Sequence, residues 1–161
     1  MTERSVREGA QTVASPAANG DLGDNEVELR MLAHAVRPSV VRALATDLAI
    51  RADFDLDSVD DLRLAVDEVC AAVVGHAQPG AVLTCRVSVD PEQLEMVASA
   101  ACVPERPVQI GALNWLVLKS LADSAELWTT ETGGQPQVHL RIIKLRGLTN
   151  GQIPHQSDGP Q

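Results

Sequence analysis

Apolar side chains recur at three- and four-residue steps through the middle of the chain, a spacing typical of a helix with one buried face. The segment from Asp60 to Ala77 repeats such positions at Leu62, Ala65, Val66, Val69, Ala72, Val73 and His76. It predicts a helix over about residues 59–76. Ser58 followed by Asp61 predicts a capping box at the start of this helix.

Two further helices are predicted, one before and one after this central helix. Pro38 suits the first turn of a helix, and the residues after it place an apolar face at Val41, Leu44, Ala45, Leu48 and Ala49. A loop containing Pro104 and Pro107 precedes the third helix. We expect the third helix to bury Leu113, Leu116, Val117 and Leu121.

Alternation of apolar and polar residues predicts five strands. They cover residues 26–31, residues 83–89, a stretch beginning at Leu94, residues 125–130 and residues 138–144. Turn residues at 90–92 and Gly133-Gly134 join the later strands into two hairpins. The order of strand, helix, helix, hairpin, helix and hairpin predicts an α/β two-layer sandwich with the helices on one face of the sheet.

Both ends of the 161-residue chain lack periodicity and are rich in small and polar residues. We therefore expect disordered tails over residues 1–25 and 147–161, and one folded domain over residues 26–146. Hydrophobic residues make up 45% of the chain, enough for a core, but aromatic residues only 2%. The core must therefore consist of Leu, Val, Ile and Ala.

The charge of the chain excludes some classes of partner. A net charge of −9 argues against direct binding to nucleic acid or to an anionic membrane, because like charges repel, and it favours a partner with a basic face. No apolar run approaches the roughly 18 residues that span a bilayer, and the first residues lack an apolar signal core. These observations favour a cytoplasmic protein.

Cysteine and histidine residues give no sign of a metal site. Cys70, Cys85 and Cys102 are widely spaced and include no CxxC pair, so we expect reduced thiols in the core. The four histidines show no HExxH spacing. His76, at the end of the central helix, is expected to be a packed residue.

Glu68 is an acidic side chain at the edge of the apolar stripe of the central helix. It lies one turn from Leu64 and from Ala72, so its carboxylate borders the buried face. A catalytic or ligand-orienting carboxylate would sit at such an edge. The alternative interpretation is an ordinary solvated charge on the flank of the helix.

The segment around Glu68 resembles the first nucleotide-binding box of the GHKL (Bergerat) ATPase fold, and this resemblance implies a mixed, largely antiparallel sheet. Within that fold it is most similar to the RsbW and SpoIIAB type of anti-sigma factor and serine kinase, in its actinobacterial UsfX branch. The resemblance rests on Leu64-Ala65-Val66-Asp67-Glu68, Cys70 and His76-Ala77, and it extends over about residues 26–145. In this family the box has an acidic general base followed four residues later by asparagine. Glu68 matches the base, whereas Ala72 replaces the asparagine.

The resemblance implies two further boxes, both degenerate here. An Asp-x-Gly that reads adenine should fall near residues 97–101, where Ser99 is only a partial substitute. A Gly-x-Gly turn under the phosphates corresponds to residues 111–114, with Gly111 retained and Asn114 as a candidate ligand. Magnesium takes only one or two protein ligands beside substrate phosphates, so the loss of one asparagine weakens its site. ATP and magnesium binding are therefore doubtful, although a weak anion site ahead of the third helix is compatible with these residues.

By this resemblance, the chain is expected to be an anti-sigma factor that sequesters an alternative sigma factor of the stress-response type. A STAS-domain anti-anti-sigma protein would counter it, and a homodimer is also implied. Arg42 matches an arginine on the first helix that contacts both partners in this family, and we expect it to be exposed. A solvated surface arginine is the alternative interpretation.

Serine kinase activity is expected to be weak or absent. If phosphotransfer remains, Glu68 would accept the proton of the substrate hydroxyl. One alternative is an active ATP-dependent serine kinase, in which Asp67 or Asn114 replaces the missing ligand at Ala72. Another is a scaffold that has kept the fold and lost both activities.

Overall fold

The computed structural model describes residues 22–147. The predicted tails, residues 1–25 and 147–161, fall almost entirely outside this range. The helices and strands are β1 Glu26–Leu32, α1 Pro38–Arg51, α2 Leu56–His76, β2 Val82–Val89, β3 Gln93–Ala101, α3 Ala112–Leu121, β4 Ser124–Thr132 and β5 Gln135–Leu145, with a 3₁₀ turn at Ala33–Ala35 after β1. None of these helices combines the length and apolar character needed to cross a membrane.

Five strands form one sheet in the order β1-β2-β3-β5-β4, and every neighbouring pair is antiparallel. The helices contact one face of this sheet: α1 contacts β2, α2 contacts β3 and β5, and α3 contacts β4. The two-layer α/β sandwich expected from the sequence is therefore confirmed. The parallel component of the expected mixed sheet does not occur among the described strands.

The core lies between the sheet and α1 and α2. Alternate residues of the three central strands point to the helices and are buried: Leu83, Cys85, Val87, Leu94, Met96, Ala98, Ala100, Val138, Leu140 and Ile142. From α1 the buried residues are Val41, Ala45 and Ala49, with Leu44 and Leu48 partly buried beside them. The stripe predicted on α2 is also buried, apart from the partly buried Ala72 and His76.

The start of α2 differs from the predicted capping box. The helix begins at Leu56, and the side chain of Asp55 accepts hydrogen bonds from the backbone N–H and the hydroxyl of Ser58, both at 2.8 Å. Ser58 therefore lies in the first turn and is not the cap. Asp61 instead forms an ion pair with Lys144 of β5 at 3.1 Å. The prediction of a Ser58–Asp61 box was wrong because α2 begins at Leu56, which places Asp55 at the N-cap position.

Helix α3 contradicts the burial predicted for it. Leu113, Leu116 and Val117 are 71%, 66% and 38% exposed, whereas Leu118 is 1% exposed. Leu121 is half-buried, as is Trp115. Apolar residues occupy nearly the whole circumference of this ten-residue helix, so periodicity alone could not choose the buried face. Among the described residues, the outer face of α3 has no covering element.

The sheet face opposite the helices is stabilised by charged side chains. Glu28, Arg86, Val97, Arg141 and Glu126 form one row across all five strands. Arg86 pairs with Glu28 at 2.6 Å, and Arg141 pairs with Glu126. Val97, between the two arginines, is only 8% exposed, because long arginine stems can cover apolar surface while their charged ends remain paired.

The three cysteines are buried and free. A hydrogen bond to Cys70, together with burial, raises the pKa of Cys85 far above its usual range, and burial raises the pKa of Cys102. These two thiols therefore stay protonated, as expected for core residues and not for reactive cysteines.

Candidate functional site

A groove of about 300 Å³ lies between the C-terminal half of α2, the loop that follows β3 and the start of α3. Its walls are formed by Ala71, Ala72, Gly75, His76, Arg106, Pro107, Gln109, Ile110, Gly111 and Asn114. This volume is at the lower end of the range of small-molecule sites. A second cavity of about 360 Å³ lies against β4 and β5 and contains none of the predicted site residues.

The fold brings three of the predicted nucleotide-box residues together in this groove. Ala72 comes from α2, Gly111 is the residue before α3, and Asn114 lies in the first turn of α3. They are far apart in sequence. Their convergence makes this groove the candidate nucleotide site.

Glu68 lies at the border of the groove. It is one turn before Ala72 on the same side of α2 and is half-buried. Asp61, two turns earlier on that side, pairs with Lys144, whose Nζ also donates to the carbonyl of Leu121 at the end of α3. This side of α2 therefore faces α3. Within residues 22–147, Glu68 has no hydrogen-bond or ion-pair partner, so its carboxylate is available to a ligand.

Ser99 does not lie in the groove. It is on β3 between the buried residues Ala98 and Ala100, so its side chain points to the opposite face of the sheet. Its cross-strand neighbours there are Thr84 and His139. The structure thus separates Ser99 from Ala72, Gly111 and Asn114.

His76 attaches the loop after β3 to the end of α2. Its Nδ1 is 2.8 Å from the carbonyl oxygen of Ala72, and its Nε2 is 3.3 Å from the backbone nitrogen of Gln109. With the proton on Nδ1, the ring donates to Ala72 and accepts from Gln109, which satisfies both contacts. His76 is therefore packed at the helix end, as predicted, and also holds one wall of the groove.

The residues of the groove fit a magnesium nucleotide poorly. Ala72 presents a methyl group where the family resemblance places a magnesium ligand, and no carboxylate is among the residues that line the groove. Arg106 and the backbone ahead of α3 provide groups for an anion, but magnesium itself would gain little from this site.

Arg42 is less exposed than the sequence suggested. Its Nη1 donates to Oδ2 of Asp67 on α2 at 2.8 Å, and 35% of its side chain is exposed. The sequence predicts an exposed arginine, whereas this contact leaves Arg42 half-buried. The same contact places Asp67 on the side of α2 that faces α1, away from the groove, so Asp67 does not replace the ligand missing at Ala72.

Sequence reasoning missed the roles of two residues. From the sequence, Asp67 is a candidate only as a substitute metal ligand, and the contact between His76 and Gln109 is not predicted. No local sequence signal joins Arg42 to Asp67, 25 residues away. The apolar spacing places His76 on the buried face of α2. This position was the one indication in the sequence that its ring contacts another segment.

Comparison with known proteins agrees with the fold. Residues 31–142 match the family model described as the histidine kinase-like ATPase domain. The chain is also 40% identical over 125 residues to the anti-sigma-F factor RsbW of Mycobacterium tuberculosis, in strains CDC 1551 / Oshkosh and ATCC 25618 / H37Rv. The aligned region covers 76% of this chain and 72% of the relative in each case.

The family model spans all three helices and the sheet from the end of β1 to β5, and it includes every residue that lines the groove. The match is therefore to the whole folded unit and not to the α2 motif alone. The chain belongs to the histidine kinase-like ATPase domain family, and within that family to the RsbW-type anti-sigma factors.

Proposed function

We propose that this protein is an anti-sigma factor that holds an alternative sigma factor of the stress-response type inactive by binding it. The observation that carries the proposal is the 40% identity to a protein named as an anti-sigma-F factor, over about three quarters of both chains. The net charge of −9 supports it, because a DNA-binding partner presents basic groups that an acidic protein attracts. The proposed location is the cytoplasm.

Inhibition by this protein requires binding and no chemistry. A sigma factor held in the complex is unavailable to its other partners, and a STAS-domain anti-anti-sigma protein would release it by competing for the same surface. The outcome then depends on the concentrations and affinities of the three proteins.

We further propose that serine kinase activity is weak or absent. Two features support this: Ala72 presents a methyl group in the groove, and Ser99 lies on the opposite face of the sheet. Both remove polar groups that the family resemblance assigns to nucleotide binding. The unpaired carboxylate of Glu68 would remain at the border of the groove without a magnesium nucleotide to act on.

The binding proposal is tested by capture of partners. The full chain, tagged, is incubated with lysate of its own host with and without magnesium-ATP, and retained proteins are identified by mass spectrometry. We expect a sigma factor in both conditions. The purified pair is then examined by calorimetry and by transcription from a promoter that depends on this sigma factor, where the anti-sigma factor should abolish the transcript. Absence of every sigma factor from both eluates would reject the proposal.

The kinase proposal is tested with a substitution that restores the missing amide. Wild-type protein and Ala72→Asn are incubated with labelled ATP, magnesium and the host's STAS-domain protein, and transfer is followed over time. We expect little or no transfer by wild type and more by Ala72→Asn. Transfer by wild type as fast as transfer by Ala72→Asn, abolished by Glu68→Gln, would establish the active kinase instead. Light scattering on the same samples measures whether the chain forms a homodimer.

A further inference from the structure

Arg42 and Asp67 form a contact between α1 and α2 at the protein surface. The Nη1 to Oδ2 distance is 2.8 Å, and the two side chains are 35% and 37% exposed. Neither residue lines the groove. The pair is thus a separate feature from the candidate nucleotide site, although Asp67 is the immediate neighbour of Glu68 in sequence.

The geometry leaves most of the arginine free. A guanidinium has five N–H donors in a planar fork, and Asp67 accepts from only one of its terminal nitrogens. The remaining donors can bind a second carboxylate side by side. A partner therefore need not displace Asp67 in order to bind Arg42.

The position of Asp67 explains why Arg42 stays in place. The second carboxylate oxygen, Oδ1, is buried and has no hydrogen-bond partner among the described residues. If the guanidinium moved away, Oδ2 of Asp67 would also lose its partner. The partly buried carboxylate would then have no counter-charge, and this state is unfavourable. The carboxylate thus holds the arginine, which would otherwise sample many rotamers.

We propose that Asp67 is a positioning residue that fixes the guanidinium of Arg42, so that its free N–H groups bind a carboxylate of the sigma factor. The inference rests on the proposed function and on the family resemblance, which implies that Arg42 contacts the sigma factor. A held arginine loses less conformational freedom on binding than a mobile one, so affinity increases without an additional contact.

The test is a double-mutant cycle on affinity for the sigma factor that the wild-type protein retains in the capture experiment. Wild type, Asp67→Ala, Arg42→Ala and the double variant are compared by surface plasmon resonance. Coupled neighbours interact by amounts that correspond to several-fold changes in affinity. We expect Asp67→Ala to weaken binding by about tenfold, chiefly through faster dissociation, and to change affinity by less than about twofold when Arg42 is already alanine.

A matched control removes a carboxylate of equal charge elsewhere on the helical layer. Asp47 on α1 pairs with Arg51 at 2.7 Å, and both side chains are well exposed. Asp47→Ala should leave the affinity within about twofold of wild type. Because Asp47→Ala and Asp67→Ala each remove one negative charge, the comparison shows how much of any change in affinity is due to net charge alone. Circular dichroism of every variant establishes that each is folded at the temperature of the measurement.

The outcomes separate this inference from the proposed function. Equal weakening by Asp67→Ala with and without Arg42 would show a purely structural role and overturn the inference. Tighter binding by Asp67→Ala would show that Asp67 competes with the partner, and would overturn it too. If Arg42→Ala binds the sigma factor as tightly as wild type, Arg42 does not contribute to binding. This result would overturn the inference and leave the proposed anti-sigma function in place. Failure of the wild type to bind any sigma factor would overturn the proposed function and the inference with it.

Discussion

Helices α2 and α3 are both rich in apolar residues, but they occupy very different environments. The stripe of α2 is packed against the sheet, with Leu62 only 1% exposed, whereas α3 buries Leu118 and leaves Leu113 and Leu116 in solvent. Helix α2 has 21 residues and lies between α1 and α3, while α3 has ten and contacts the sheet mainly through β4. Apolar content therefore does not by itself determine what a helix contributes to the core.

The two helices also begin differently. Asp55 caps α2 through two hydrogen bonds from Ser58, while Gly111, at the corresponding position of α3, makes no side-chain cap. Helix α2 is thus stabilised by both its packing and its N-terminus. Helix α3 has no side-chain cap at its N-terminus and buries few residues, so we expect it to be the less stable of the two helices.

The largest difference is expected from one leucine on each helix. Leu62→Ala creates a cavity in the core and should lower the free energy of unfolding by about 2–5 kcal/mol. Leu116→Ala removes an exposed side chain and should change it by no more than about 0.5 kcal/mol. Urea unfolding followed by circular dichroism measures both. A loss at Leu116 as large as that at Leu62 would mean that the outer face of α3 is covered in solution.

Charged substitutions on α3 test further whether its outer face is in contact with solvent. Lysine at both Leu113 and Leu116 should leave the unfolding midpoint nearly unchanged if this face is in water, because an exposed lysine keeps its hydration. Leu118→Lys on the same helix is the matched control and should destabilise strongly, because its side chain is buried. Light scattering of the double variant detects any change in oligomeric state.

A smaller and pH-dependent effect is expected at the start of α2. Hydrogen bonds from the backbone and hydroxyl of Ser58 hold the pKa of Asp55 below its ordinary value of 3.8. The carboxylate therefore binds protons less readily in the folded chain than in the unfolded chain. Its contribution is complete above the ordinary pKa and is lost as the pH falls through the lower folded-state pKa.

Asp55→Ala should consequently lower the thermal midpoint at pH 7, by less than Leu62→Ala does, and the difference from wild type should shrink in acid. Asp55→Asn is the control, since an amide oxygen still caps the helix but does not titrate. It should remain close to wild type at pH 7 and show a shallower acid-side decline. A difference between Asp55→Ala and wild type that is the same at pH 7 and pH 3 would contradict the assigned role of the carboxylate.

The smallest effect is expected at the start of α3. Gly111→Ser supplies the missing cap and should raise the free energy of unfolding by a few tenths of a kcal/mol, about the measured advantage of serine over glycine at this position. Nothing lies within 4 Å of the added Cβ, so no clash offsets the gain. Gly111→Ala is the control without an acceptor and should give no increase. The comparison is made by urea unfolding.

The sequence predicted the layers of the fold because its patterns repeat. Apolar and polar residues alternate along most of the strands, and apolar residues recur at regular helical steps along α2. These patterns were enough to predict which segments are strands or helices and which face of α2 is buried. In β3, however, Val97, Ala98, Ser99 and Ala100 are all small or apolar. Alternation is absent there, and the face on which Ser99 lies could not be chosen before the pairing of β3 with β2 and β5 was known.

The candidate site was predicted in part. Motif resemblance identified Ala72, Gly111 and Asn114, and the fold brings these three into one groove. Their convergence required the path of the loop after β3, which His76 fixes through Gln109. The relation between Arg42 and Asp67 required the packing of α1 against α2, which no local pattern encodes.

The sequence alone determined the two-layer architecture, the core stripe of α2 and the family, because these depend on periodicity and on a contiguous motif. Only the tertiary structure decided which face of α3 is buried, that Arg42 is held by Asp67, and that Ser99 lies away from the groove. Each of these depends on contacts between segments that are distant along the chain. Local spacing restricts which residues share a face, but it does not fix what that face meets.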